Sequence, residues 1–433
     1  MDLPAALVYL DAHVNLEATA GRVHGLSLER MRRLATVLGD PQHAYPVVHL
    51  TGTNGKGSTA EMVSALLAGS GLTVGTYSSP HLQRINERVA RNGEAVDDDT
   101  LATLLGDVAA VEGVAGVVPS YFEILTAAAF RYFADVAVDV AVVEVGLLGR
   151  YDATNVADAA VAVVTNVGRD HSDFHGDWRA AVAREKAGIV KANSTLVLGE
   201  TAPDVAPIFR TAGAAQVWER LADFACETNA VAIGGRLVDV RTPGADLEDV
   251  FLALHGAHQG ENAAVALAAA EAFFGRPVDS DVARAALAEV SLPGRFEVVR
   301  RSPLVVLDGA HNPDGAAAAA STFENDFVVA GRRILVVGML GPRPVADVLA
   351  ALGAARADVV IACAPVSPRA VPAHEVAAAA TVGDGEAPVV EVVADVGRAV
   401  DRALALADVN DAVLVTGSLY VVGAARTHLR GRR

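Results

Sequence analysis

Short apolar runs that alternate with alanine-rich stretches limit most strongly how this chain can fold. The runs lie at residues 46–52, 138–146, 159–168, 194–200, 303–310, 332–340, 357–365, 388–395 and 412–420. Each run is continuously apolar, which is typical of strands buried on both faces and therefore of mainly parallel sheets. Alanine-rich stretches such as 58–71 and 261–275, each ending in glycine, are predicted to form the connecting helices. The sequence therefore predicts an α/β fold.

The alternation of strands and helices breaks at residues 291–303. This segment, SLPGRFEVVRRSP, is rich in proline, glycine and arginine and fits neither pattern. We therefore predict that residues 1–293 form a large domain with a mainly parallel, P-loop-type sheet, and that residues 294–433 form a smaller, Rossmann-like α/β domain. Residues 227–260 lack a helix period and are predicted to form a small β segment within the first domain.

Charge and cysteine content argue against several classes of protein. The 433 residues carry a formal net charge of −17, which argues against general nucleic-acid binding but allows an anionic substrate in a local basic pocket. Cys226 and Cys363 lie far apart and form no metal or disulfide framework, as expected in a reducing compartment. No apolar stretch approaches the roughly 18 residues of a membrane span. We expect a cytoplasmic protein that binds neither nucleic acid nor membrane and, because no interface pattern stands out, is a monomer.

Residues 52–58 form a glycine-rich turn between a predicted strand and a predicted helix, and we call them the glycine loop. Gly52, Gly55 and Gly57 permit a tight turn whose N–H groups point where the positive end of the helix also points. Lys56 adds a positive charge there, so the loop is predicted to bind nucleotide phosphates. The match to G-x-x-x-x-G-K-[ST] is imperfect, because Lys56 is followed by Gly57. The structural alternative is a glycine turn with an exposed lysine.

Two further polar side chains follow predicted strands. Glu144 ends one buried strand, and His171 follows another. Because ligands of open α/β sheets bind at the carboxyl ends of strands, both are expected to share one sheet edge with the glycine loop. A carboxylate and an imidazole beside phosphates favour a magnesium site, although imidazole is an unusual ligand for so hard a cation. The structural alternatives are a salt bridge from Glu144 to Arg150 and a capping or core role for His171.

Lysine is rare in this chain, and its positions therefore carry information. Among 35 basic residues only Lys56, Lys186 and Lys191 are lysines. Lys186 lies at the start of a helix-like segment, where it can bind a phosphate, or form an ion pair with Glu185 or Asp170. A third interpretation is that its deprotonated amine takes up carbon dioxide and becomes a carbamate that binds metal. Only the carbamate explains why arginine, which stays protonated, would fail at this position.

The chain resembles the folylpolyglutamate synthase/dihydrofolate synthase family of the Mur ligase superfamily in a series of motifs along nearly its whole length. They are TGTNGKGST, YSSPHLQRINER, SYFEILTAAA, EVGLLGRYDATN, DHSDFHG, EKAGIVK, HGAHQGENAA, LPGRFEV, DGAHNPDGA, VGML and TGSLYVVGAAR. Since this superfamily comprises ATP-dependent carboxylate–amine ligases, the resemblance implies that ATP drives the addition of L-glutamate to a pteridine substrate. The reaction would pass through an acyl phosphate and release ADP and phosphate. The substrate would be a reduced folate, dihydropteroate or both.

The resemblance also implies roles for individual residues, and it implies that the second domain closes over the nucleotide. The expected ATP contacts are Thr53, Asn54, Gly55, Lys56, Gly57, Ser58, Asn262, Arg295 and Asp308. The expected ligands of two Mg²⁺ ions are Ser79, Glu144, His171 and a carbamylated Lys186, and the expected catalytic residues are Lys186, His171 and Lys56. The expected substrate contacts are Ser120, Tyr121, Phe122, Glu123, Tyr151, Asp152 and Ala153 on the pterin side and His311 and Ser418 on the glutamate side.

Several alternatives remain open at this point. The chain could be another ligase of the superfamily, acting on a cell-wall or peptide precursor. It could be a P-loop NTPase switch or a kinase, which would need no amine acceptor. It could also be a relic without activity, because Leu148 stands where the family usually has glycine, and Arg169 and His175 stand where it usually has aliphatic residues. If the backbone at Leu148 is left-handed, leucine is costly there.

Overall fold

A mainly parallel eight-stranded sheet forms the centre of the N-terminal domain in the computed structural model, which describes residues 1–15, 17, 27–169, 176–381 and 387–431. Its strands are β1 (Val47–Thr51), β2 (Val74–Tyr77), β3 (Val89–Arg91), β4 (Glu94–Ala95), β5 (Val140–Glu144), β6 (Ala159–Val164), β7 (Thr195–Leu198) and β8 (Gln216–Glu219). Their order is β4-β3-β2-β5-β1-β6-β7-β8, and only the pairs at the β3 and β4 edge are antiparallel. The carboxyl ends of β1, β5 and β6 therefore lie side by side.

Helices cover both faces of this sheet, which is why its central strands are continuously apolar. The helices are α1 (Leu3–Asp11), α2 (Glu29–Val37), α3 (Lys56–Gly69), α4 (Asp98–Ala115), α5 (Tyr121–Asp135), α6 (Trp178–Lys186), α7 (Ala206–Arg210), α8 (Ala257–Phe274) and α9 (Ser280–Glu289). Helices α3, α8 and α9 pack on one face, and α1, α2, α4 and α5 pack on the other. Within the described ranges, no helix is long and apolar enough to cross a membrane.

A small antiparallel sheet packs beside the face that α8 covers. It consists of β9 (Ala225–Ala232), β10 (Gly235–Arg241) and β11 (Asp246–Leu252), in the order β11-β10-β9. The prediction of a small β segment in this part of the chain is therefore confirmed. The strands of this sheet are alternately buried and exposed, because only one of its faces packs on the core.

The C-terminal domain is a second α/β unit with a six-stranded sheet. Its strands are β12 (Glu297–Arg301), β13 (Leu304–Leu307), β14 (Arg333–Val337), β15 (Val359–Ala362), β16 (Val389–Val392) and β17 (Ala412–Thr416). Its helices are α10 (Pro313–Asn325), α11 (Val345–Leu352), α12 (Ala373–Ala380), α13 (Val396–Leu406) and α14 (Leu419–Arg430). The order is β12-β13-β17-β14-β15-β16, and only β12 is antiparallel to its neighbour. The predicted fold class, two successive α/β domains, is confirmed.

Three details of the prediction from sequence are wrong. The segment 291–303 is not wholly irregular, because it contains β12, which pairs with β13. The predicted strand 412–420 ends at Thr416, because the side chain of Ser418 accepts a hydrogen bond from the Val421 N–H and caps α14. Lys186 is the last residue of α6, so it lies at the end of a helix and not at its start.

A buried histidine in the central strand predicts a pH-dependent stability. His49 of β1 is fully buried, its Nε2 lies 2.8 Å from the Thr154 Oγ1, and burial lowers its pKa to about 3. The ordinary pKa of histidine is about 6.5, so the neutral ring stabilises the fold above pH 6.5. As the pH falls from 6.5 toward 3, this contribution is lost at about 1.4 kcal/mol per pH unit.

We therefore expect the free energy of unfolding of the wild type to fall more steeply below pH 6.5 than that of the variant His49→Gln. Between pH 7 and pH 5 the difference in the loss should reach about 2 kcal/mol. Urea unfolding of both proteins at pH 7, 6 and 5 measures it. Parallel losses in the two proteins would contradict the prediction.

Candidate active site

The glycine loop is anchored to the end of the neighbouring strand β6. The backbone N–H groups of Thr53 and Asn54 both donate to the Asn166 Oδ1, at 3.2 and 2.9 Å, and the Thr165 hydroxyl donates to the Asn54 carbonyl at 2.7 Å. The Lys56 Nζ donates to the carbonyl oxygens of Gly52 and Thr53, at 3.0 and 3.3 Å. The loop thus holds its lysine above the first turn of α3, where an anion meets both the lysine and the helix N-terminus.

Glycine is required at two positions of this loop for steric reasons. Gly55 has a φ of +82°, and a Cβ atom added to it would lie 2.5 Å from the Oδ1 of Asn262 in α8. A Cβ atom at Gly52 would lie 1.8 Å from the Thr165 Oγ1. The loop is therefore packed between β6 and α8 without room for a side chain at either position.

Glu144 lies at the end of β5, beside the glycine loop. Its carboxylate accepts a hydrogen bond from the Ser79 N–H at 3.2 Å, and a Cβ atom at Gly57 would lie 3.7 Å from its Oε2. Burial raises the pKa of Glu144, and the positive charges of Lys56 and Arg295 oppose this shift. The alternative of a salt bridge to Arg150 is wrong, because the ion-pair partner of Arg150 is Glu185, at 3.9 Å.

One cavity of about 400 Å³ joins these groups to the C-terminal domain, and we call it the interdomain cavity. From the N-terminal domain it is lined by the glycine loop from Thr53 to Ser58 and by Ser79, Glu144, Gly146, Asn166, His258, Gln259 and Asn262. From the C-terminal domain it is lined by Arg295, Phe296, Asp308, His311, Asp314, Ala318, Arg343, Arg369, Ser418 and Tyr420. Its size suits a nucleotide-sized ligand. All nine predicted ATP contacts, together with His311 and Ser418, line it.

The predicted metal ligands are only partly brought together. Ser79 and Glu144 both line the interdomain cavity, whereas His171 lies outside the described residues. A single carboxylate with a hydroxyl fits Mg²⁺, because this ion usually takes one or two carboxylates and completes its shell with phosphate oxygens and water. Among the described residues no cluster of three or more His, Cys, Asp or Glu side chains could hold a metal ion by itself.

Lys186 is buried, with 4% of its surface exposed, and it does not belong to the described lining of the interdomain cavity. The end of α6 packs instead against the turn that follows Glu144. The Arg150 N–H donates to the Glu185 carbonyl at 2.8 Å, and a Cβ atom at Gly149 would lie 3.1 Å from the Lys186 carbonyl. This turn therefore links the lysine to the strand that carries the buried carboxylate.

The same turn contains a strained residue. Leu148 has a φ of +61°, a left-handed conformation that is costly for leucine. The Thr51 hydroxyl donates to the Leu148 carbonyl at 2.6 Å, and the leucine side chain packs on the small core around α6. The condition under which leucine is costly at this position is therefore met, and local contacts hold the leucine there.

Four of the predicted pterin-side residues lie at the start of α5, and only one of them adjoins the interdomain cavity. Ser120 and Glu123 form a capping box, in which each accepts a hydrogen bond from the backbone N–H of the other. Phe122 packs on Gly146, where an added Cβ atom would lie 2.4 Å from its ring. The guanidinium of Arg88 lies 5.7 Å from the centre of the Tyr121 ring. Of these four residues, Phe122 therefore contacts the wall of the cavity, at Gly146.

The other three, Tyr151, Asp152 and Ala153, follow the strained turn. The Asp152 carboxylate is buried and accepts hydrogen bonds from the N–H groups of Leu147 and Thr154, at 2.8 and 3.0 Å. Burial raises its pKa to about 6, and these bonds oppose the shift. Tyr151 is 42% exposed. Asp152 therefore shapes the turn, and the aromatic ring of Tyr151 is the accessible group.

Several residues of the cavity escaped the sequence reasoning. Asn166 follows β6, so the rule that identified Glu144 also applies to it. Arg343 and Arg369 follow β14 and β15 of the second sheet, and they line the cavity beside His311 and Ser418. No pattern within one domain reveals that they face the other.

Parallel strands whose ends present a glycine loop and a buried carboxylate, with a second α/β domain opposite, provide the parts of a site for a nucleotide and a divalent cation. The pattern of the Mur ligase middle domain matches residues 50–270, and that of the Mur ligase glutamate ligase domain matches residues 294–419. A dihydrofolate synthase/folylpolyglutamate synthase of Mycobacterium tuberculosis is 38% identical over 93% of this chain and 89% of its own length. The chain belongs to the dihydrofolate synthase/folylpolyglutamate synthase family.

Solved structures of this family have the same fold. The folylpolyglutamate synthase of Mycobacterium tuberculosis complexed with ADP superimposes with a TM-score of 0.91 and 38% identity, over 99% of both chains. A bifunctional folylpolyglutamate synthase/dihydrofolate synthase with Mn, AMPPNP and L-glutamate bound has a TM-score of 0.84 and 30% identity, over 99% of this chain and 98% of that one. These relatives give no support to the alternative of a ligase for a cell-wall or peptide precursor.

Proposed function

We propose that this enzyme uses ATP to join L-glutamate to the carboxylate of a pteridine substrate, which is a reduced folate, dihydropteroate or both. One observation carries the proposal: the glycine loop, the buried Glu144 and the cationic side chains of the C-terminal domain line a single cavity. Phe122, on the proposed pterin side, packs against the wall of that cavity at Gly146. The relatives' structures with ADP, and with Mn, AMPPNP and L-glutamate, support the same ligands here.

The phosphates of ATP would bind to the glycine loop. The N–H groups at the start of α3 offer donors, because those of Thr53 and Asn54 already donate to Asn166, and Lys56 would supply a full charge on the outer phosphates. Asn262, Arg295 and Asp308 would hold the rest of the nucleotide from α8 and from the C-terminal domain, and all three line the cavity. We place the domain boundary at residues 293/294, which the start of the second family match supports.

Magnesium would bind between the phosphates and the pair Ser79 and Glu144, with His171 as a further ligand and a second Mg²⁺ nearby. The short distance between Glu144 and the glycine loop supports this site. A bound Mg²⁺ would neutralise phosphate charge as the anionic carboxylate approaches. Glu144 accepts the Ser79 N–H with one oxygen, which leaves further lone pairs of its carboxylate for a cation.

The reaction would proceed in two displacements. A carboxylate oxygen of the pteridine substrate forms a bond to the γ-phosphorus, and the bond from phosphorus to ADP breaks. The glutamate nitrogen then attacks the acyl carbon, the bond to the phosphate oxygen breaks, and the nitrogen loses its proton. His311 and Ser418 would contact the amino acid, and the cavity-lining Arg343 and Arg369 offer charge for its carboxylates. Closure of the two domains would keep water from the acyl phosphate.

We further propose that Lys186 is carbamylated. Its amine attacks carbon dioxide, a nitrogen–carbon bond forms, and a proton is released, so that an anion replaces a cation. The rarity of lysine in the chain and the contact of α6 with the turn after Glu144 support this assignment.

Lys186→Arg is expected to retain the fold and ADP binding and to lose roughly a hundredfold or more in ligase rate, because a guanidinium cannot form the carbamate. Lys191→Arg is the matched control and should keep the wild-type rate. With ¹³C-bicarbonate, wild type should show a protein-bound ¹³C-carbamate signal that Lys186→Arg lacks. A near wild-type rate in Lys186→Arg would refute the carbamate.

A substrate panel with detection of ADP tests the function as a whole. Glutamate-dependent ADP release is expected with tetrahydrofolate, with dihydropteroate or with both, and none with a nucleotide-sugar peptide. ADP release that needs no amino acid would instead support a nucleotide-hydrolysing switch, and ADP binding without turnover would support a relic.

We also propose that the protein is cytoplasmic and is a monomer. Size-exclusion chromatography at assay concentrations tests the oligomeric state.

A further inference from the structure

Helix α10 of the C-terminal domain forms one wall of the interdomain cavity and is attached to the N-terminal domain at both of its ends. Asp314 and Gly315 in its first turn and Ala318 and Ala319 in its middle line the cavity. The small side chains of Gly315, Ala318 and Ala319 let the backbone of the helix lie close to any ligand in the cavity. The position of α10 therefore determines the width of the nucleotide site.

The first end of α10 is attached directly to the glycine loop. Asn312 caps the helix, because its Oδ1 accepts the Gly315 N–H at 2.8 Å. The amide of Asn312 also pairs with the amide of Asn54, at 2.9 and 3.4 Å in the two directions. This contact connects the two domains at the phosphate end of the cavity.

The second end of α10 is attached through a buried carboxylate, Asp326. Its side chain is 1% exposed, its Oδ2 accepts the Gly256 N–H at 2.8 Å, and its Oδ1 accepts from the Arg236 Nη1 at 2.6 Å. The helices touch at this point, since a Cβ atom at Gly256 would lie 2.7 Å from the Thr322 Oγ1. Asp326 therefore joins the end of α10 to the start of α8.

Helix α8 leads from Gly256 back to the glycine loop. Gln259, in its first turn, donates to the Ser58 hydroxyl at 3.4 Å. One turn further on, the Asn262 Nδ2 donates to the Gln259 Oε1 at 3.0 Å. The Asn262 side chain also packs so closely on Gly55 that no side chain fits at Gly55. The start of α8 thus contributes two cavity-lining side chains that contact the glycine loop.

A second route joins Asp326 to the same turn of α8. Arg236, whose side chain is 6% exposed, bonds to the side chain and the carbonyl of Asn229 in β9. The Asn229 Nδ2 in turn donates to the Ala257 carbonyl at 2.7 Å. Asp326 therefore fixes the Gly256 N–H directly, and it fixes the Ala257 carbonyl through Arg236 and Asn229.

We propose that Asp326 is a positioning residue for the nucleotide: it sets the distance between α8 and α10, the two helices that wall the cavity on opposite domains. The proposal rests on the proposed function only in so far as the cavity binds a nucleotide. Asparagine has the same shape as aspartate, but its NH₂ group would face a hydrogen-bond donor, either the Gly256 N–H or the Arg236 guanidinium. The replacement also removes the counter-charge of this buried guanidinium. The start of α8 then loses its fixed position relative to the glycine loop.

The test measures ADP binding by calorimetry and amide exchange by mass spectrometry, on the full chain. Asp326→Asn is expected to raise the dissociation constant for ADP about tenfold and to speed amide exchange at residues 256–262. Asp411→Asn is the matched control, because Asp411 is a buried carboxylate of the same domain that accepts from backbone N–H groups and from Arg332 but does not line the cavity. It should lower the melting temperature while leaving the ADP affinity within twofold of wild type.

If Asp326→Asn does not fold, Asp326→Glu, which keeps the charge but displaces the carboxylate, is measured in the same way. A reduced melting temperature with unchanged ADP affinity and unchanged exchange at residues 256–262 would show that Asp326 serves stability alone and would overturn the proposal. The proposed function is tested separately. If the wild type binds ADP but ligates no glutamate, the ligase assignment is wrong and the positioning role of Asp326 still stands.

Discussion

Replacing Glu144 by glutamine is expected to reduce ligase turnover about a thousandfold and to leave the free energy of unfolding unchanged or higher. The carboxylate is buried, and burial raises its pKa, so its ionised form costs more free energy in the folded protein without ligands than in water. Glutamine keeps the shape and an acceptor for the Ser79 N–H but lacks the charge that a divalent cation requires. The loss of activity and the retained or increased stability therefore both result from removing the buried negative charge of Glu144.

Turnover measured by ADP release and stability measured by urea unfolding test this prediction together. Glu271→Gln is the matched control, because Glu271 is also buried, its pKa is also raised by burial, and it does not line the interdomain cavity. This variant should keep turnover within about twofold of wild type. A Glu144→Gln enzyme with more than a tenth of wild-type turnover in Mg²⁺ would contradict the metal site.

Replacing Lys56 by methionine is expected to lower kcat/KM for ATP by about a thousandfold or more. The Lys56 Nζ donates to two carbonyl oxygens of the glycine loop, so the ammonium group is held beside this loop at the start of α3. Methionine fills the same volume without charge. Because Lys56 is expected to interact most strongly with the phosphoryl group in the transition state, the loss in kcat/KM for ATP should exceed the loss in affinity for ADP.

Steady-state kinetics with ATP as the varied substrate and calorimetry with ADP separate these two effects. Lys191→Met removes a lysine that donates to the Asn155 carbonyl at 3.3 Å and does not line the cavity, so it should behave as wild type. Equal behaviour of Lys56→Met and Lys191→Met would support the alternative in which the glycine loop is a turn with an ordinary lysine.

The fold could be predicted from the sequence wherever strands are long and buried. The run 138–146 became β5 because every residue of that strand is buried, and continuous apolarity reports that directly. Strand β2, at Val74–Tyr77, was missed, because four residues that include Gly75 and Thr76 carry no such signal. It is buried because Gly75 lets the Phe133 ring approach, with an added Cβ atom only 2.5 Å away. That contact is tertiary and leaves no trace in the local pattern.

The site was predictable to the extent that it depends on one sheet edge. The glycine loop and Glu144 lie together because their strands are parallel neighbours, and the sequence shows both strand ends. Arg343 and Arg369 escaped notice because their position depends on how the two domains pack. Asp326 escaped notice for the same reason, since its partners Gly256 and Arg236 come from the other domain.

The central claim is that this cavity holds ATP against a carboxylic acid so that one oxygen of the acid attacks the γ-phosphorus. The most direct test uses a tetrahydrofolate or dihydropteroate substrate with ¹⁸O in the reacting carboxylate, together with ATP, Mg²⁺ and L-glutamate. The mechanism predicts that each phosphate released carries one ¹⁸O atom, as measured by mass spectrometry. Phosphate without the label, released at the rate of product formation, would show that the carboxylate is never phosphorylated and would contradict the claim.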